Sequence, residues 1–417
     1  MQHSDASRRR PMGLVSAWAL GVGTMVGTGI FALSADAARY AGPAAVASYL
    51  LAGLACLVLA LNFGLLASGR PVSGGPYVYI RDGLGPLVGI VAGWQLWLGM
   101  ALSASFYAVG FARYLTYFWP GSPAKGVAAA TVALVSVVNV MVPRAASVLQ
   151  NLSVGFLLLV LGGLVVLGIP RVEPAFWVPV APYGWRPAVE IVPLVFTSYL
   201  GFEMIAQAGN AFRDPRRTVP LAMVASVATV TALYSGIMVV SLGVIHHVDL
   251  AQSPTPLAEV ARRLMGRPGA AVVAIGGMVA ALSSANGVVL ASLELARVMT
   301  GEGFWPPSGS RGRLPAAELA ATAVAVAGTA AGDLEWLARG VGVLHLLPFT
   351  LVPITLLQLS TSRRARQVTR MAPASSAVAV AGIAVMAFVV RQLRWPEVQT
   401  AAWLSAPALL WVWRMRR

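Results

Sequence analysis

The sequence predicts an all-α membrane protein with twelve transmembrane helices. Of its 417 residues, 58% are hydrophobic and only 11% are charged, and the mean hydropathy is +0.75. A soluble domain has about 25% charged residues, so this chain has too few to cover a soluble core of its size. Apolar segments of membrane-spanning length recur along the chain, and two of them contain polar interruptions. These observations place the protein in a lipid bilayer.

The charge distribution and the cysteine content exclude several other classes. The formal net charge is +15, but the arginines lie at the ends of apolar runs rather than on one tail or face. That pattern argues against a nucleic acid partner. The single cysteine, Cys56, lies in an apolar run, so intrachain disulfides and cysteine-ligated metal sites are excluded. We predict no cofactor and no metal site.

Twelve apolar intervals are candidates for membrane spans. A helix needs about 20 apolar residues to cross the hydrocarbon core, which is about 30 Å thick. The ninth and twelfth intervals reach this length only with their flanking residues. The predicted spans are 11–35, 40–69, 83–112, 126–143, 145–170, 188–212, 218–245, 268–293, 319–332, 340–362, 371–390 and 398–413.

The arginine distribution also predicts the orientation of the spans. Basic residues are enriched in cytoplasmic loops, and this enrichment holds if the N-terminus is cytoplasmic and twelve spans alternate. Both termini are therefore predicted to be cytoplasmic. The expected location is the cytoplasmic membrane, with lipids as partners and a monomer or homodimer as the assembly.

The first span contains a glycine-rich interruption. The segment 21–31 reads GVGTMVGTGIF, and each glycine costs a helix about 1 kcal/mol relative to alanine. An unwound backbone inside a membrane survives only where it is buried in protein or lines a cavity. Its free amides favour a carboxylate, and its free carbonyl groups favour an ammonium group or a cation. Close helix packing through the small residues Gly23 and Gly27 is an equally good explanation.

The sixth span contains a second interruption. Gly201 is followed two residues later by Glu203, and a carboxyl group is costly at membrane depth. Glu203 is therefore a functional candidate, and the alternative is a structural hydrogen bond or ion pair inside the bundle.

The two interruptions lie five helices apart. Paired interruptions in corresponding halves of a chain indicate the binding site of a secondary transporter. A five-helix unit that occurs twice in succession must be inverted in the membrane, and the first and sixth helices are then discontinuous. The predicted organisation is a cytoplasmic tail at 1–10, a first repeat at 11–170, a second at 188–360, and helices eleven and twelve with a short tail at 371–417.

Four motifs resemble signatures of the amino acid–polyamine–organocation transporter superfamily, and the similarity covers nearly the whole chain. Length and layout are most similar to compact bacterial permeases and exporters. The motifs are the first-helix segment 26–31, the loop 71–77 with Gly85-Pro86, the sixth-helix segment 201–203 with Asp214-Pro215 and Pro220, and Arg297 with the segment 301–306.

The resemblance implies roles for individual residues. The amides near Thr28 and Gly29 would bind the α-carboxylate of an amino acid, and carbonyl groups of Met25, Thr197 and Leu200 would bind its α-amino group. The positions that match the family's substrate site are Met25, Val26, Gly27, Thr28, Gly29, Met100, Ala104, Thr197, Tyr199, Leu200, Gly201, Glu203 and Val288.

The side chains at these positions are mostly apolar, so we expect a neutral, hydrophobic substrate such as leucine, isoleucine, valine or methionine. A cationic amino acid or polyamine antiporter is the alternative, although a guanidinium group would need more acidic or aromatic partners. The expected mechanism is proton-coupled transport or exchange by alternating access.

Two coupling ions are considered. Desolvation favours the protonated form of a carboxyl group, which makes Glu203 a candidate proton carrier. A Na⁺-coupled symporter would instead use Ser283 and Ser284, although membrane-helix serines more often bond to their own backbone or to a neighbouring helix.

Two other classes complete the comparison. An enzyme would need acidic residues or histidines clustered at membrane depth, whereas Glu203, Glu294 and His345 lie in three different spans. We therefore expect no enzymatic activity. A transporter-like membrane sensor stays open as an alternative.

Overall fold

The computed structural model describes residues 12–69, 74–141, 143–208, 211–302, 316–361 and 375–415. Within these ranges the chain is helical, and the β-type pairing is a single isolated parallel bridge between Met12 and Phe212. This confirms the all-α prediction. The predicted tail at 1–10 and the motif residues 71–73 and 303–306 lie outside the described ranges.

Within the described ranges most helices follow one another closely, with a 3₁₀ turn at Gly42–Ala44, whereas the connection 169–185 is longer and contains two 3₁₀ turns. In chain order they are α1 Leu14–Met25, α2 Thr28–Ala41, α3 Ala45–Gly69, α4 Gly75–Leu84, α5 Pro86–Leu115, α6 Ala124–Met141, α7 Pro143–Gly168, α8 Arg186–Glu190, α9 Val192–Phe196, α10 Glu203–Gln207, α11 Pro215–Val244, α12 His247–Gln252, α13 Pro256–Gly301, α14 Ala316–Ala331, α15 Leu334–Thr361, α16 Ser375–Arg391 and α17 Trp395–Met415.

Among the residues that the structure describes, six helical segments are long and apolar enough to cross a membrane, or seven if the pair α16 and α17, bent by 108°, forms one span. The protein is thus a multi-pass membrane protein, while the count of twelve spans and the inverted repeat stay predictions. Part of the difference has a physical cause. The predicted first and sixth spans are divided into short helices, so neither contains one helix of spanning length.

The centre of the bundle is formed by α5 and α13, which pack along each other. α5 also contacts α4, α6, α14 and α15, whereas α11 packs between α1 and α3. α13 bends at Gly266, whose φ of 69° is unfavourable for residues with a Cβ. The predicted eighth span at 268–293 lies within the part of α13 that follows this bend.

Candidate substrate site

The first break separates α1 from α2. Val26 (φ −74°, ψ 86°) and Gly27 (φ −133°, ψ −159°) leave the helical conformation, at the position that the glycine run predicts. No side chain caps the first turn of α2. The first amides of a helix have no partner within the helix itself, so this turn presents N–H groups suited to binding an anion.

The second break separates α9 from α10. A 3₁₀ turn at Thr197–Tyr199 is followed by extended backbone at Leu200 and by Gly201, whose φ is 122°. The Gly201 amide donates a hydrogen bond of 2.8 Å to Glu203 Oε2. Glu203 is 1% exposed, and its Oε1 has no hydrogen-bond partner in the described part of the chain. The carboxyl group therefore stabilises the break through Oε2, while Oε1 stays available to bind a proton or a ligand.

The two breaks touch each other. Thr24 Oγ1 donates to the Gly201 carbonyl oxygen at 2.9 Å. A Cβ added to Gly201 would lie 2.7 Å from the carbonyl carbon and oxygen of Thr24, and a Cβ added to Gly29 would lie 2.6 Å from Ser198 Cα. These glycines therefore permit close backbone packing, while Gly27 lies in the unwound segment itself. Unwinding and close packing both occur here.

Tyr234 on α11 joins the two breaks, and sequence reasoning did not identify it. Its hydroxyl lies 2.8 Å from the Met25 carbonyl oxygen and 3.3 Å from the Ser198 carbonyl oxygen, in donating geometry to both. The residue is fully buried. The signal available in the sequence was that Tyr234 is the sole tyrosine of the predicted span 218–245.

α5 and α13 form the other wall of the first break. A Cβ on Gly27 would collide with the Ser284 hydroxyl and lie 3.2 Å from the Tyr107 ring. Thr28 Oγ1 lies 3.5 Å from the Tyr107 carbonyl oxygen. The Ser283 and Ser284 hydroxyls are buried, and no hydrogen-bond partner for them lies within the described ranges. Ser284 is thus placed directly beside the unwound segment.

Other predicted site residues lie around this centre in different directions. The Tyr199 hydroxyl donates to the Tyr49 carbonyl oxygen on α3 at 2.8 Å. Thr197 Oγ1 donates to the Ala338 carbonyl oxygen on α15 at 3.1 Å. Met100 and Ala104 line a small cavity between α5, α6, α13 and α14. The structure therefore brings segments 24–29 and 197–203 together and places Met100 and Ala104 at a neighbouring cavity.

A cavity of about 620 Å³ lies beside the last turns of α2. Asp36 and Arg39 line it together with Arg113 and His247, and Arg39 forms an ion pair with Asp36 at 3.2 Å. Burial and the neighbouring His246 lower the pKa of His247, so its imidazole is neutral at pH 7. The cavity offers charges of both signs about 12 Å along α2 from the first break.

Charged side chains also join helices near the ends of the bundle. Arg339 on α15 contacts Glu335 at 2.9 Å and Glu397 on α17 at 2.7 Å. The Tyr40 hydroxyl on α2 donates to Glu335 at 2.8 Å. This group (Tyr40, Glu335, Arg339 and Glu397) is called the α2–α15–α17 cluster below.

A second charged contact joins α4 to the end of α13. Both the Tyr77 hydroxyl and the Arg81 guanidinium of α4 contact the carboxylate of Glu302.

The described structure is thus a multi-pass helical membrane protein with two touching helix breaks and an uncapped helix start at its buried centre. A family model described as amino acid permease matches residues 12–413. The chain belongs to the amino acid permease family. This confirms the resemblance seen in the motifs.

Curated relatives are transporters with different substrates in their names. The methylthioribose transporter of Bacillus subtilis is 26% identical, covering 73% of this chain and 70% of that protein. The branched-chain amino acid permease BcaP of Bacillus subtilis is 28% identical, covering 74% and 70%. The chloroplastic cationic amino acid transporter 9 of Arabidopsis thaliana is 28% identical, covering 61% and 49%.

Proposed function

We propose that the protein is a secondary active transporter that moves neutral, hydrophobic amino acids across the cytoplasmic membrane by alternating access. The observation that carries this proposal is the contact between the two helix breaks at the buried centre. There, the uncapped start of α2 and the carbonyl groups at the ends of α1 and of the 3₁₀ turn lie side by side.

The two charged groups of an amino acid match this arrangement. We place the α-carboxylate on the amides near Thr28 and Gly29, where the helix dipole favours a negative charge. The α-amino group then meets the carbonyl groups of Met25, Thr197 and Leu200. Tyr234 holds the Met25 carbonyl in place, so it acts as a positioning residue in this proposal.

The side-chain environment favours a neutral substrate. Leu200 and Val288 are apolar and buried, and so are Met100 and Ala104 at the neighbouring cavity. One oxygen of Glu203 is already bonded to the Gly201 amide, which leaves a single oxygen where a guanidinium group would need a bidentate partner. The branched-chain permease among the relatives agrees with this preference. The cationic amino acid transporter and the methylthioribose transporter define the alternatives to be tested.

We further propose that the coupling ion is a proton carried by Glu203, whose free oxygen is buried. The observation that favours a Na⁺-coupled symporter instead is the pair of unpartnered hydroxyls at Ser283 and Ser284, with Ser284 beside Gly27. Leucine uptake that is unchanged when choline replaces Na⁺ would support proton coupling. Uptake that is lost without Na⁺, and lost in the variant Ser284→Ala, would support Na⁺ coupling.

Counterflow in proteoliposomes tests the substrate. Vesicles preloaded with unlabelled leucine should take up radiolabelled leucine, and external isoleucine, valine and methionine should compete with it. Arginine and methylthioribose should compete at least about tenfold less well, which corresponds to about 1.4 kcal/mol of binding free energy. Stronger competition by arginine or methylthioribose than by leucine would overturn the proposal. The absence of counterflow with every amino acid would favour a sensor.

A further inference from the structure

A second buried carboxyl group lies outside the breaks. Glu318 is in the first turn of α14 and is 2% exposed. Its Oε2 atom is buried without a hydrogen-bond partner in the described ranges. The apolar interval 319–332 begins one residue later and reaches spanning length only with its flank, and the sequence did not single out Glu318 as a buried acid.

The Glu318 carboxyl group faces the small cavity between α5, α6, α13 and α14. The hydroxyls of Ser136 and Thr322 lie within hydrogen-bonding reach of it, and Thr322 donates to Ser136 at 3.0 Å. Met100 and Ala104 line the same cavity. Hydroxyl groups can donate to a carboxylate and can accept from a carboxylic acid, so these neighbours accommodate both forms.

The charges around Glu318 offer little compensation for a permanent anion. Arg297 on α13 acts on Glu318 electrostatically, but its side chain is paired with Glu294 at 3.4 Å and is 69% exposed. The described cavity-lining residues on α5, α6 and α14 other than Glu318 carry no charge. A buried carboxylate without a paired cation neutralises itself by taking a proton.

The position of Glu318 in α14 acts in the opposite direction. Free amides and the helix dipole in the first turn favour a negative charge. The cavity therefore favours the protonated acid, whereas the helix start lowers the free-energy cost of the carboxylate, which can form when water or a cation approaches. A group under these two opposing influences is suited to binding and releasing a proton.

Two helix faces connect this cavity to the first break. On α13, Ser284 beside Gly27 is followed at intervals of four residues by Val288 and Ser292, and Ser292 lines the cavity. On α5, Tyr107 beside the break shares a face with Ala104 and Met100. Residues at these intervals lie on one side of a helix. The cavity is thus about 10–12 Å from the break along both helices.

We propose that Glu318 is a second proton-binding site of the transporter, in addition to the centre formed by the breaks. The proton forms an O–H bond to a carboxylate oxygen, converting the anion to the neutral acid, and leaves as the cavity becomes hydrated, with no redox change. Movement of α5 or α13 during substrate binding changes this hydration. The inference rests on the proposed transport function, to which it adds a coupling residue.

Proton-driven uptake in proteoliposomes tests the role of Glu318. With one coupled proton on Glu203 and one on Glu318, the leucine accumulation ratio of the wild type should change by up to about a hundredfold per pH unit of imposed gradient. Glu318→Gln should lower this to about tenfold, because Glu203 still binds its proton, and it should retain leucine counterflow, because exchange needs no net proton movement. Glu318→Asp should restore part of the dependence. The control Glu190→Gln, which changes an exposed acid paired with Arg186, should behave like the wild type.

Infrared spectroscopy of the purified protein gives a readout independent of transport. The wild type should show a protonated-carboxyl band that Glu318→Gln lacks, and Ser136→Ala should shift that band by removing a hydrogen bond. If Glu318→Gln reconstitutes poorly, the infrared band shift in Ser136→Ala tests the same site. Wild-type pH dependence retained in Glu318→Gln would overturn the proposal. Failure of leucine counterflow in the wild type would instead reject the proposed function, while the infrared titration would still be readable.

Discussion

Single residues determine whether the two breaks can meet. Gly201 has a backbone conformation that other residues adopt only with strain. Glu203 accepts a hydrogen bond from the Gly201 amide, and the Tyr234 hydroxyl links the end of α1 to the 3₁₀ turn. Each of these contacts is buried, so the loss of one partner leaves a polar group without compensation.

Gly201→Ala should destabilise the protein by about 1–3 kcal/mol, because the alanine Cβ would meet the Thr24 carbonyl group at a positive φ. We expect a lower melting temperature and weaker leucine binding in a thermal-shift assay. Gly155→Ala on α7, where a Cβ meets nothing within 4 Å, is the matched control and should be neutral or slightly stabilising. Equal effects of the two substitutions would contradict the strained break.

Tyr234→Phe should weaken leucine binding, since the Met25 carbonyl group loses the hydroxyl that orients it. The expected loss of stability is about 1 kcal/mol. Tyr114→Phe removes a comparable hydroxyl, which donates to the Phe31 carbonyl oxygen at 2.6 Å, about one helical turn beyond Gly27. Titration calorimetry should show reduced affinity for Tyr234→Phe alone. A similar affinity in both variants would remove Tyr234 from the site.

Glu203→Gln should strongly reduce uptake driven by a pH gradient and preserve leucine counterflow. The glutamine oxygen can still accept the Gly201 amide, so the break is retained while the titratable proton is lost. Glu190→Gln, which changes an exposed acid paired with Arg186 at 2.6 Å, serves as the control in the same uptake assay. Undiminished pH-driven uptake in Glu203→Gln would exclude this residue as a proton carrier.

At the scale of elements, the sequence located the unusual segments well. Four glycines in 21–31 predicted the interruption between Met25 and Thr28, and the pair Gly201 and Glu203 predicted the second. These signals are local, since glycine and an intramembrane carboxyl group are costly wherever they occur. The long interval 218–245 likewise differs from α11 by three residues at its start and one at its end.

Contacts between elements were beyond the sequence because they depend on packing. The Tyr199 hydroxyl donates a hydrogen bond to the Tyr49 carbonyl oxygen and not to the unwound segment between α1 and α2. The residues around Tyr199 in the sequence do not specify this orientation. Glu318 was not singled out, because an acid at the edge of an apolar interval resembles the boundary of a span, whereas the packing of α14 against α5 and α6 buries this residue.

At the scale of the whole molecule, the α2–α15–α17 cluster ties separate parts of the chain together. Arg339 and Glu397 have side chains that are 16% and 12% exposed, so their contact is less screened by solvent than a surface ion pair. It links α15 to α17, and through Tyr40 and Glu335 it reaches α2 of the broken first span.

Glu397→Gln should lower the melting temperature and accelerate amide hydrogen exchange in peptides from α15 and the start of α17. The expected cost is about 1–3 kcal/mol, because the guanidinium of Arg339 loses a charged partner in a partly buried site. Arg262→Gln breaks an exposed pair with Glu259 on α13 and should leave the melting temperature nearly unchanged. Unchanged exchange in Glu397→Gln would show that the cluster does not restrain these helices.

The direct contact between Gly29 and Ser198 has a mechanical consequence for transport. A Cβ alone would be too large for that gap, so an amino acid that lies between the two unwound segments must spread them apart. The inserted amino acid would then displace the half-helices on either side by about its own thickness. Substrate binding and the conformational change would therefore occur together. A ligand without the amino and carboxyl groups of an amino acid would not separate the segments, and the transporter would stay closed.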